Sequence, residues 1–415
     1  MKKYLILTPN VCGMGGAELY TLRRCTHLKK EGFDVHVMVA YHKDYFPLKE
    51  EFGNTPIHLF PEINMYVAGV PNTRAINVVD EMIKIADCHE GALIESHTLF
   101  AAEWGELLAY YCKGKHLIYA LTEHKVSGYR FEPGRSIFGY KCKRGEFFGC
   151  FSSALSRIFD RNDIPDNYVN VGFDDSELVE KSSPALHIKK GLDEYVITTV
   201  GRLEKVYVEP FINNTIAFAK KHAERNFMLV IGGGSQLEGY EERIRKEYQQ
   251  KAESIPNIRI VFTGYIEKLG KDLFDFTNVF VGLGTATINS ISQGCLTINV
   301  DPSSKNMERV SGFFGTDTKN FAYSDNGVTY SLEEKLEEAL FADADKSNKM
   351  KEAGLKTYND CFKSEVCMQR LDNIFNTIKV ADNGNIIRIP FYYRLYVIIG
   401  LKIYYTISNM FHYKC

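Results

Sequence analysis

An alternation of short apolar runs with longer segments of helical periodicity constrains the fold of this chain most, and it occurs twice. Apolar runs of this length, separated by amphipathic segments, are typical of strands buried between helices. The strand-like runs of the first half are residues 4–7, 34–40, 57–60, 92–96, 116–122, 149–153 and 168–172. Strands that alternate with helices form a parallel sheet with helices on both faces. The first half therefore predicts a doubly wound α/β domain.

A polar segment, residues 174–194, separates this alternation from a second one. It contains Ser-Ser-Pro and no apolar run, which is typical of an interdomain linker. The strand-like runs after it are residues 195–201, 227–234, 258–264, 278–282 and 296–300. The length of 415 residues also exceeds one ordinary core. We predict two Rossmann-like domains facing an interdomain cleft, residues 1–175 and 195–380, joined by a linker over 176–194.

The end of the sequence, residues 381–415, has a different character. Lysines and arginines alternate there with many aromatic residues, namely Phe391, Tyr392, Tyr393, Tyr396, Tyr404, Tyr405, Phe411 and Tyr413. This mixture fits an interfacial helix that rests on an anionic membrane surface. It equally fits a C-terminal helix that packs on the first domain. Both interpretations of this helical tail stay open.

Composition limits the classes of partner and compartment. A net charge of −2 gives no general attraction to nucleic acid. The ten cysteines form no CxxC pair, which favours a reducing compartment, and no Cys/His cluster has metal-ligand spacing. The apolar run at 4–7 is too short for a signal peptide, and no run of about 18 apolar residues predicts a membrane span. We expect a cytoplasmic protein that binds no metal, cofactor or nucleic acid.

A glycine-rich turn follows the first predicted strand. The sequence Gly-Met-Gly-Gly-Ala-Glu at 13–18 opens a helix, and Gly15 and Gly16 let backbone amides approach a phosphate or a sugar. Glu18 occupies the position where the dinucleotide fingerprint needs a third small residue. The turn alone therefore predicts a strand–helix junction, with or without a ligand.

Two further motifs follow strands of the second half, and ligands of doubly wound sheets lie at the carboxyl ends of strands. In Val-Gly-Arg-Leu-Glu-Lys (200–205), Arg202 and Lys205 are placed to neutralise a diphosphate leaving group. The segment 278–301 offers the amino end of a short helix to a phosphate. Its candidate ligand-binding residues are Gly284, Thr285, Ala286, Thr287 and Asn289.

This ordered set of motifs resembles the GT-B glycosyltransferases, and glycosyltransferase family 4 in particular, over most of residues 1–375. The matching segments are GGAE (15–18), SHTLF (96–100), TEHKVSG (122–128), CFSSALSRIF (150–159), VGRL (200–203), LVIGGG (229–234), VFTGYI (261–266) and the segment 278–301.

The resemblance implies roles for individual residues. The second domain would bind a nucleotide-sugar, with its diphosphate held by Arg202 and Lys205 and its base lined by Gly264 and Tyr265. In the first domain, Gly16 would approach the donor phosphate or sugar. His124 would lie near the transferred sugar or the acceptor. The family also implies transfer without a metal ion and, in most members, with retention of anomeric configuration.

The chain departs from the family at a pair of glutamates that usually flank the Gly-x-Gly turn. Val281 and Asn289 stand at those positions. Asn289 can still exchange hydrogen bonds with a ribose hydroxyl, whereas Val281 has no polar group. Elsewhere, Asp-Ala-Asp at 343–345 resembles a metal motif, but its place between two helical segments favours helix capping. His97 is expected to be a hydrogen-bonded structural residue.

The sequence thus predicts a glycosyltransferase that moves a sugar from a nucleotide-sugar to a glycan or a lipid-linked acceptor. The family-level expectation is bacterial cell-surface polysaccharide synthesis (capsule, exopolysaccharide or lipopolysaccharide) at the inner membrane face. The missing glutamates motivate one alternative, a catalytically silent nucleotide-sugar-binding partner of an active transferase. A second alternative is a nucleotide-sugar epimerase, which can share the same two-domain fold but would need acidic residues in the cleft, where this sequence shows few.

Overall fold

The computed structural model describes residues 2–13, 15–121, 137–182, 188–266, 268–302, 307 and 309–382. The described chain divides into two compact units. Unit 1 contains the residues up to Asn170 and those from Met368 onward, and unit 2 is Val171–Cys367.

Unit 1 is built on a six-stranded parallel sheet in the order β3-β2-β1-β4-β5-β6. Its strands are β1 (Lys3–Thr8), β2 (Asp34–Val39), β3 (Ile57–Leu59), β4 (Leu93–Ser96), β5 (Lys115–Ala120) and β6 (Phe147–Gly149). Every residue of β1 after Lys3 is buried, as expected for a central strand covered on both faces. The chain reverses its direction of travel across the sheet at β1, which gives the doubly wound order.

The helices of unit 1 are α1 (Gly16–Lys30), α2 (Lys49–Phe52), α3 (Asn72–Ala86), α4 (Leu99–Cys112), α5 (Ile137–Lys143) and α6 (Ala154–Phe159). Helix α4 begins where the Thr98 hydroxyl accepts a hydrogen bond from the Ala101 amide at 3.2 Å. Almost all of α4 is buried, and Trp104 lies fully inside the core. This helix therefore fills the space between the sheet and α3.

Unit 2 repeats the design in the strand order β12-β11-β10-β7-β8-β9. Its strands are β7 (Glu194–Val200), β8 (Asn226–Gly232), β9 (Ile258–Gly264), β10 (Val279–Gly282), β11 (Leu296–Val300) and β12 (Val310–Phe313). All pair in parallel except β12, which pairs antiparallel with β11.

The remaining helices follow in chain order. They are α7 (Val208–Lys221), α8 (Tyr240–Glu253), α9 (Lys271–Asp275), α10 (Thr285–Ser292), α11 (Leu332–Phe341), α12 (Ala344–Thr357) and α13 (Ser364–Thr377). Helix α13 starts in unit 2 and ends in unit 1. No helix of the described ranges is long and apolar enough to cross a membrane.

The two predicted doubly wound sheets are confirmed, and the differences are local. The run at 168–172 makes only an isolated bridge to Gly149 rather than a strand. The helical segment expected over 345–377 is divided into α12 and α13 by a π-helical turn at Tyr358–Phe362. Strand β12 was not predicted, because antiparallel pairing needs no crossover helix and the sequence therefore shows no alternation there.

The boundaries between the two units also differ from the domain boundaries proposed from the sequence. The chain enters unit 2 at Val171 and returns to unit 1 at Met368, whereas the sequence placed the first domain at 1–175, a linker at 176–194 and the second domain at 195–380. At the end of the described chain, the Ala381 amide donates to the Gly114 carbonyl of unit 1 at 2.9 Å. Both interpretations of the tail concern residues that lie, apart from 381 and 382, outside the described ranges.

A buried carboxylate, Glu95, organises the core of unit 1. The hydroxyls of Tyr4 and Tyr20 donate to it at 2.5 and 2.6 Å, and Arg24 Nε donates at 3.1 Å. His97 Nε2 lies 3.0 Å from Glu95 Oε1, the carboxylate oxygen that also accepts from Tyr20. The side chains of Glu95 and Arg24 are both fully buried. This cluster therefore joins β1, β4 and α1 through charge and hydrogen bonds rather than apolar contact.

The cluster extends to the C-terminal part of unit 1. Arg24 Nη1 donates to Asp372 on α13 at 2.8 Å, and His27 Nε2 lies 2.6 Å from the second oxygen of the same carboxylate. Burial alone would raise the pKa of Glu95, but the Arg24 charge and the hydrogen bonds lower it to about 2. Glu95 is therefore ionised in the folded protein, and Arg24 is the charge that compensates it.

We expect Glu95→Gln to destabilise unit 1 by about 3–5 kcal/mol, because it leaves Arg24 buried with a single carboxylate. A folded pKa of about 2, below the ordinary glutamate value of 4.5, means that the wild-type carboxylate stabilises the fold above pH 4.5. That stability is lost as the pH falls from about 4.5 to 2. Urea unfolding at pH 7 and thermal melts across this pH range measure both effects.

Glu90→Gln is the matched control, since Glu90 is an exposed glutamate of the same unit. It should behave as wild type in both experiments. Equal urea midpoints for the Glu95 variant and this control would contradict the role given to the buried pair.

Candidate functional site

At the carboxyl ends of β7, β8 and β9, backbone hydrogen bonds join Gly201, Gly232, Gly233 and Gly264, and these four residues form a glycine crossing. The Gly201 amide donates to the Gly232 carbonyl at 2.9 Å, and the Gly233 amide donates to the Gly264 carbonyl at 2.9 Å. Gly233 has φ +125°, and a Cβ there would lie 2.1 Å from the Gly201 oxygen. Only glycine fits this position without moving the end of β7.

Arg202 follows this crossing directly and points to an exposed surface. Its Nη1 donates to Gln236 Oε1 at 2.9 Å and lies 3.7 Å from Glu204. Its side chain is 57% exposed. The guanidinium is therefore oriented by the loop after β8 but retains donors for a ligand.

Lys205 is the second predicted cation, and it is held much closer to the backbone. Its Nζ lies 3.3 Å from the point where a Cβ on Gly201 would be. Burial lowers the pKa of Lys205, the neighbouring Arg202 lowers it further, and Glu204 opposes them. Among the described residues no carboxylate forms an ion pair with this ammonium. The structure thus brings together two cations with incomplete neutralisation at the end of β7.

Several polar atoms around these cations are incompletely satisfied. Thr199 Oγ1, Glu204 Oε2 and Tyr207 Oη are buried and form no hydrogen bond of normal geometry within the part of the chain that the structure describes. The Thr199 hydroxyl still opposes the rise that burial causes in the pKa of Tyr207. Against the effect of burial, the Ser235 hydroxyl helps to lower the pKa of Glu204. Buried polar groups in folded proteins are normally satisfied by protein, water or ligand. The end of β7 is therefore a polar location suited to a bound ligand or ordered water.

The amino end of α10 lies beside this location, because β10 pairs with β7 in the sheet. Gly284 precedes the helix with φ +77°, and no side chain caps the helix. The amides of Thr285 and Ala286 fall in the first turn, where a helix has no internal acceptors. Thr287 departs from expectation, because its amide donates to the Gly284 carbonyl at 3.1 Å and its side chain is buried.

The two positions that usually carry glutamates differ in what they can contact. Val281 is fully buried in the core of unit 2. Asn289 is partly buried on α10, and its Oδ1 has no hydrogen-bond partner among the described residues. Asn289 therefore keeps a free acceptor, whereas Val281 belongs to the packing of β10.

Tyr265 stands next to the glycine crossing on the side of β9. Gly264 adopts φ +73°, which turns the chain after β9, and the following Tyr265 is 60% exposed. The nearby Glu241 and Arg245 form an ion pair at 3.0 Å. An exposed aromatic face next to a strand end is suited to stacking on a planar ligand.

The glycine turn of unit 1 contains a feature that the sequence motif did not reveal. Gly15 is the N-cap of α1, and Gly16 is its first residue. The carboxylate of Glu18 folds back on the turn, since a Cβ on Gly13 or Gly15 would lie 2.9 or 2.7 Å from its oxygens. A glutamate at the third helical position commonly reaches back in this way. The glycine turn therefore already has the Glu18 carboxylate beside it.

The other sequence candidates have simple outcomes. His124 lies outside the described residues. The structural role expected for His97 is confirmed by its burial and its contact with Glu95. The capping role of Asp343 is confirmed by a 2.7 Å hydrogen bond from the Lys346 amide. No group of three or more metal-ligating side chains occurs within the described ranges.

Sequence reasoning missed Tyr207, Gln236 and the requirement for Gly233. The three consecutive glycines at 232–234 were the available signal, because a run of this kind after a strand marks a close backbone approach. The contacts of Tyr207 and Gln236 depend on the loop path and have no sequence signal.

Solved structures of similar fold cover nearly the whole chain. The Anabaena protein HepE in complex with UDP and glucose is 15% identical, with a TM-score of 0.58 over 91% of this chain and 100% of that one. A glycosyltransferase from Rickettsia africae is 13% identical, with a TM-score of 0.64 over 92% and 99%. The lipopolysaccharide outer core galactosyltransferase WaaB is 10% identical, with a TM-score of 0.58 over 91% and 99%.

No family model and no curated protein sequence matches this chain significantly. Structural similarity at such low identity establishes the fold, and the chain has the two-domain GT-B fold expected from its sequence.

We predict that Gly233→Ala lowers the free energy of unfolding of unit 2 by about 1–3 kcal/mol, because of the left-handed backbone and the clash with Gly201. The amide of Gly201 should also lose protection from hydrogen exchange. Gly191→Ala serves as control, since the nearest atom to its Cβ is 3.4 Å away. If the two variants melt at the same temperature, the close approach does not constrain the site.

Proposed function

We propose that this chain is a glycosyltransferase that moves a sugar from a nucleotide-sugar to an acceptor. The observation that carries the proposal is the pair Arg202 and Lys205, two cations without full neutralisation at the carboxyl end of β7, beside the uncapped start of α10. A nucleoside diphosphate supplies the negative charge that this arrangement lacks. Structures of similar fold contain UDP, as in HepE.

The proposed chemistry breaks the bond between the anomeric carbon and the diphosphate oxygen. The acceptor oxygen forms the new bond to that carbon, and its hydroxyl proton passes to the departing diphosphate. Negative charge then grows on the departing nucleoside diphosphate. Arg202, Lys205 and the first amides of α10 would stabilise that charge without reorganising at the moment of reaction. Because the bound diphosphate is anionic, it also favours the protonated form of Lys205.

The rest of the donor would extend over residues next to this cluster. We assign Tyr265 and Gly264 to the base and Asn289 to a ribose hydroxyl, since its Oδ1 is a free acceptor. Gly16 remains a proposed contact of the donor phosphate or sugar, and His124 a proposed contact of the transferred sugar or the acceptor. The carboxylate of Glu18 at that turn favours sugar hydroxyls, which donate hydrogen bonds, over a phosphate, which it repels.

The finer parts of the function are proposals of the same kind. We expect transfer with retention and without metal or other cofactor, to a glycan or lipid-linked acceptor in bacterial cell-surface polysaccharide synthesis. Names such as that of WaaB, a lipopolysaccharide galactosyltransferase, support this direction. A location in the cytoplasm at the inner membrane face would match such an acceptor.

A second candidate is a nucleotide-sugar-binding partner without catalysis, and the burial of Val281 favours it. A valine in the core of unit 2 supplies no polar contact to the donor sugar at that position. Release of nucleoside diphosphate from any nucleotide-sugar by the purified chain alone would rule this candidate out.

Replacing Arg202 and Lys205 together by alanine should weaken nucleoside diphosphate binding at least about 100-fold, because two charge-assisted contacts are removed. Calorimetric titration with UDP, GDP, ADP, CDP and dTDP measures the affinity, and a labelled sugar measures transfer. The double replacement of Lys220 and Arg225, two exposed cations of the same unit, is the matched control. Unchanged affinity in the Arg202/Lys205 variant would refute the assignment of this site.

A further inference from the structure

The ring of Tyr207 lies under the ammonium group of Lys205. Tyr207 is the residue before α7 and is 1% exposed. Lys205 Nζ is 5.8 Å from the centroid of its ring. A cation within about 6 Å of an aromatic face is attracted by the electron density of that face. Tyr207 is therefore an electrostatic partner of the lysine proposed to bind the diphosphate.

Gly201 completes this arrangement from the other side. A Cβ on Gly201 would lie 3.2 Å from Tyr207 Oη and 3.3 Å from Lys205 Nζ. The tyrosine and the lysine therefore both pack against the bare Cα of Gly201. Because no side chain projects there, the ammonium can approach the backbone at the end of β7.

Lys205 needs such a partner, since its other neighbours give it little support. Burial disfavours the charged amine, Arg202 repels it, and Glu204 attracts it from beyond ion-pair distance. These are the charged groups that act on it within the described chain. An aromatic face stabilises a cation without neutralising it, so the positive charge stays available to a ligand.

We propose that Tyr207 is a positioning residue, whose ring holds the Lys205 ammonium against Gly201 in place for a diphosphate. The ring carries this role, and the hydroxyl does not. The binding readout below rests on the proposed function, whereas the titration of Lys205 does not.

The test compares Tyr207→Leu, which removes the ring, with Tyr207→Phe, which keeps it. UDP and inorganic pyrophosphate are the probes, the second because it is independent of the base. We expect Tyr207→Leu to weaken both about five- to tenfold. Tyr207→Phe should recover most of that loss. The pH at which affinity falls should also move down in Tyr207→Leu, because Lys205 loses its proton more easily without the ring.

A double-mutant cycle separates positioning from a general structural effect. In a Lys205→Ala background, Tyr207→Leu should cause no further loss of affinity. An equal loss in both backgrounds would overturn the proposal. Tyr248→Leu is the matched control, since Tyr248 is a buried tyrosine of the same unit with Lys251 Nζ 4.4 Å from its ring centroid. This control should leave the affinity for both probes unchanged.

The titration of Lys205 itself gives a readout that needs no ligand. Competitive acylation across pH, read by mass spectrometry of the peptide that contains Lys205, should show a lower pKa in Tyr207→Leu than in wild type. An unchanged titration would overturn the proposal. If wild type binds neither probe while this shift occurs, the proposed function fails and the positioning role stands.

Gly201→Ala keeps the test decisive if Tyr207→Leu does not fold. The added methyl would lie 3.2 Å from Tyr207 Oη and 3.3 Å from Lys205 Nζ, and the flexible lysine would move away. We expect the same direction of change, with weaker pyrophosphate binding and a lower pKa of Lys205. Wild-type binding and titration in this variant would overturn the proposal.

Discussion

The buried pair of Glu95 and Arg24 is the interaction on which unit 1 depends. An ionised carboxylate inside the core is tolerated only when opposite charge and hydrogen bonds compensate it, and Arg24 and two tyrosine hydroxyls do so here. These donors come from β1 and α1, which flank the glycine turn at Gly15. The cluster thus ties to Glu95 the two elements on either side of that turn.

In unit 2, a close approach between two backbone segments takes the place that the buried charge pair has in unit 1. Gly201 and Gly233 bring the ends of β7 and β8 close enough that no side chain fits between them. The same bare backbone leaves room for the Lys205 ammonium. The absence of side chains at Gly201 and Gly233 therefore allows both the close approach of the strands and the position of the Lys205 ammonium. A cationic surface of this kind is what a diphosphate-binding site requires.

The sequence predicted most of the strands and helices, which depend on local patterns of residues. It did not predict the side-chain partners that are distant in the sequence. Strand β9 occupies the predicted residues 258–264, because Ile258, Ile260 and Phe262 alternate with less buried residues at the period of a strand. The partners of Arg24 could not be predicted, since Asp372 lies 348 residues away in the sequence. At the site, Arg202 and Lys205 followed from their place after a strand. The contact of the Tyr207 ring with Lys205 depends on where α7 begins, and the hydrophobic periodicity of the sequence does not indicate that position.

The contact between Arg24 and Asp372 also bears on how the chain is made. Domains generally fold as the amino-terminal part of a chain emerges from the ribosome. Unit 1 cannot complete its charge cluster at that stage, because Asp372 follows the whole of unit 2. Until α13 has been made, Arg24 has Glu95 but not Asp372 as a carboxylate partner. The final packing of unit 1 is therefore a late event, since the segment that completes its cluster is made only after the whole of unit 2.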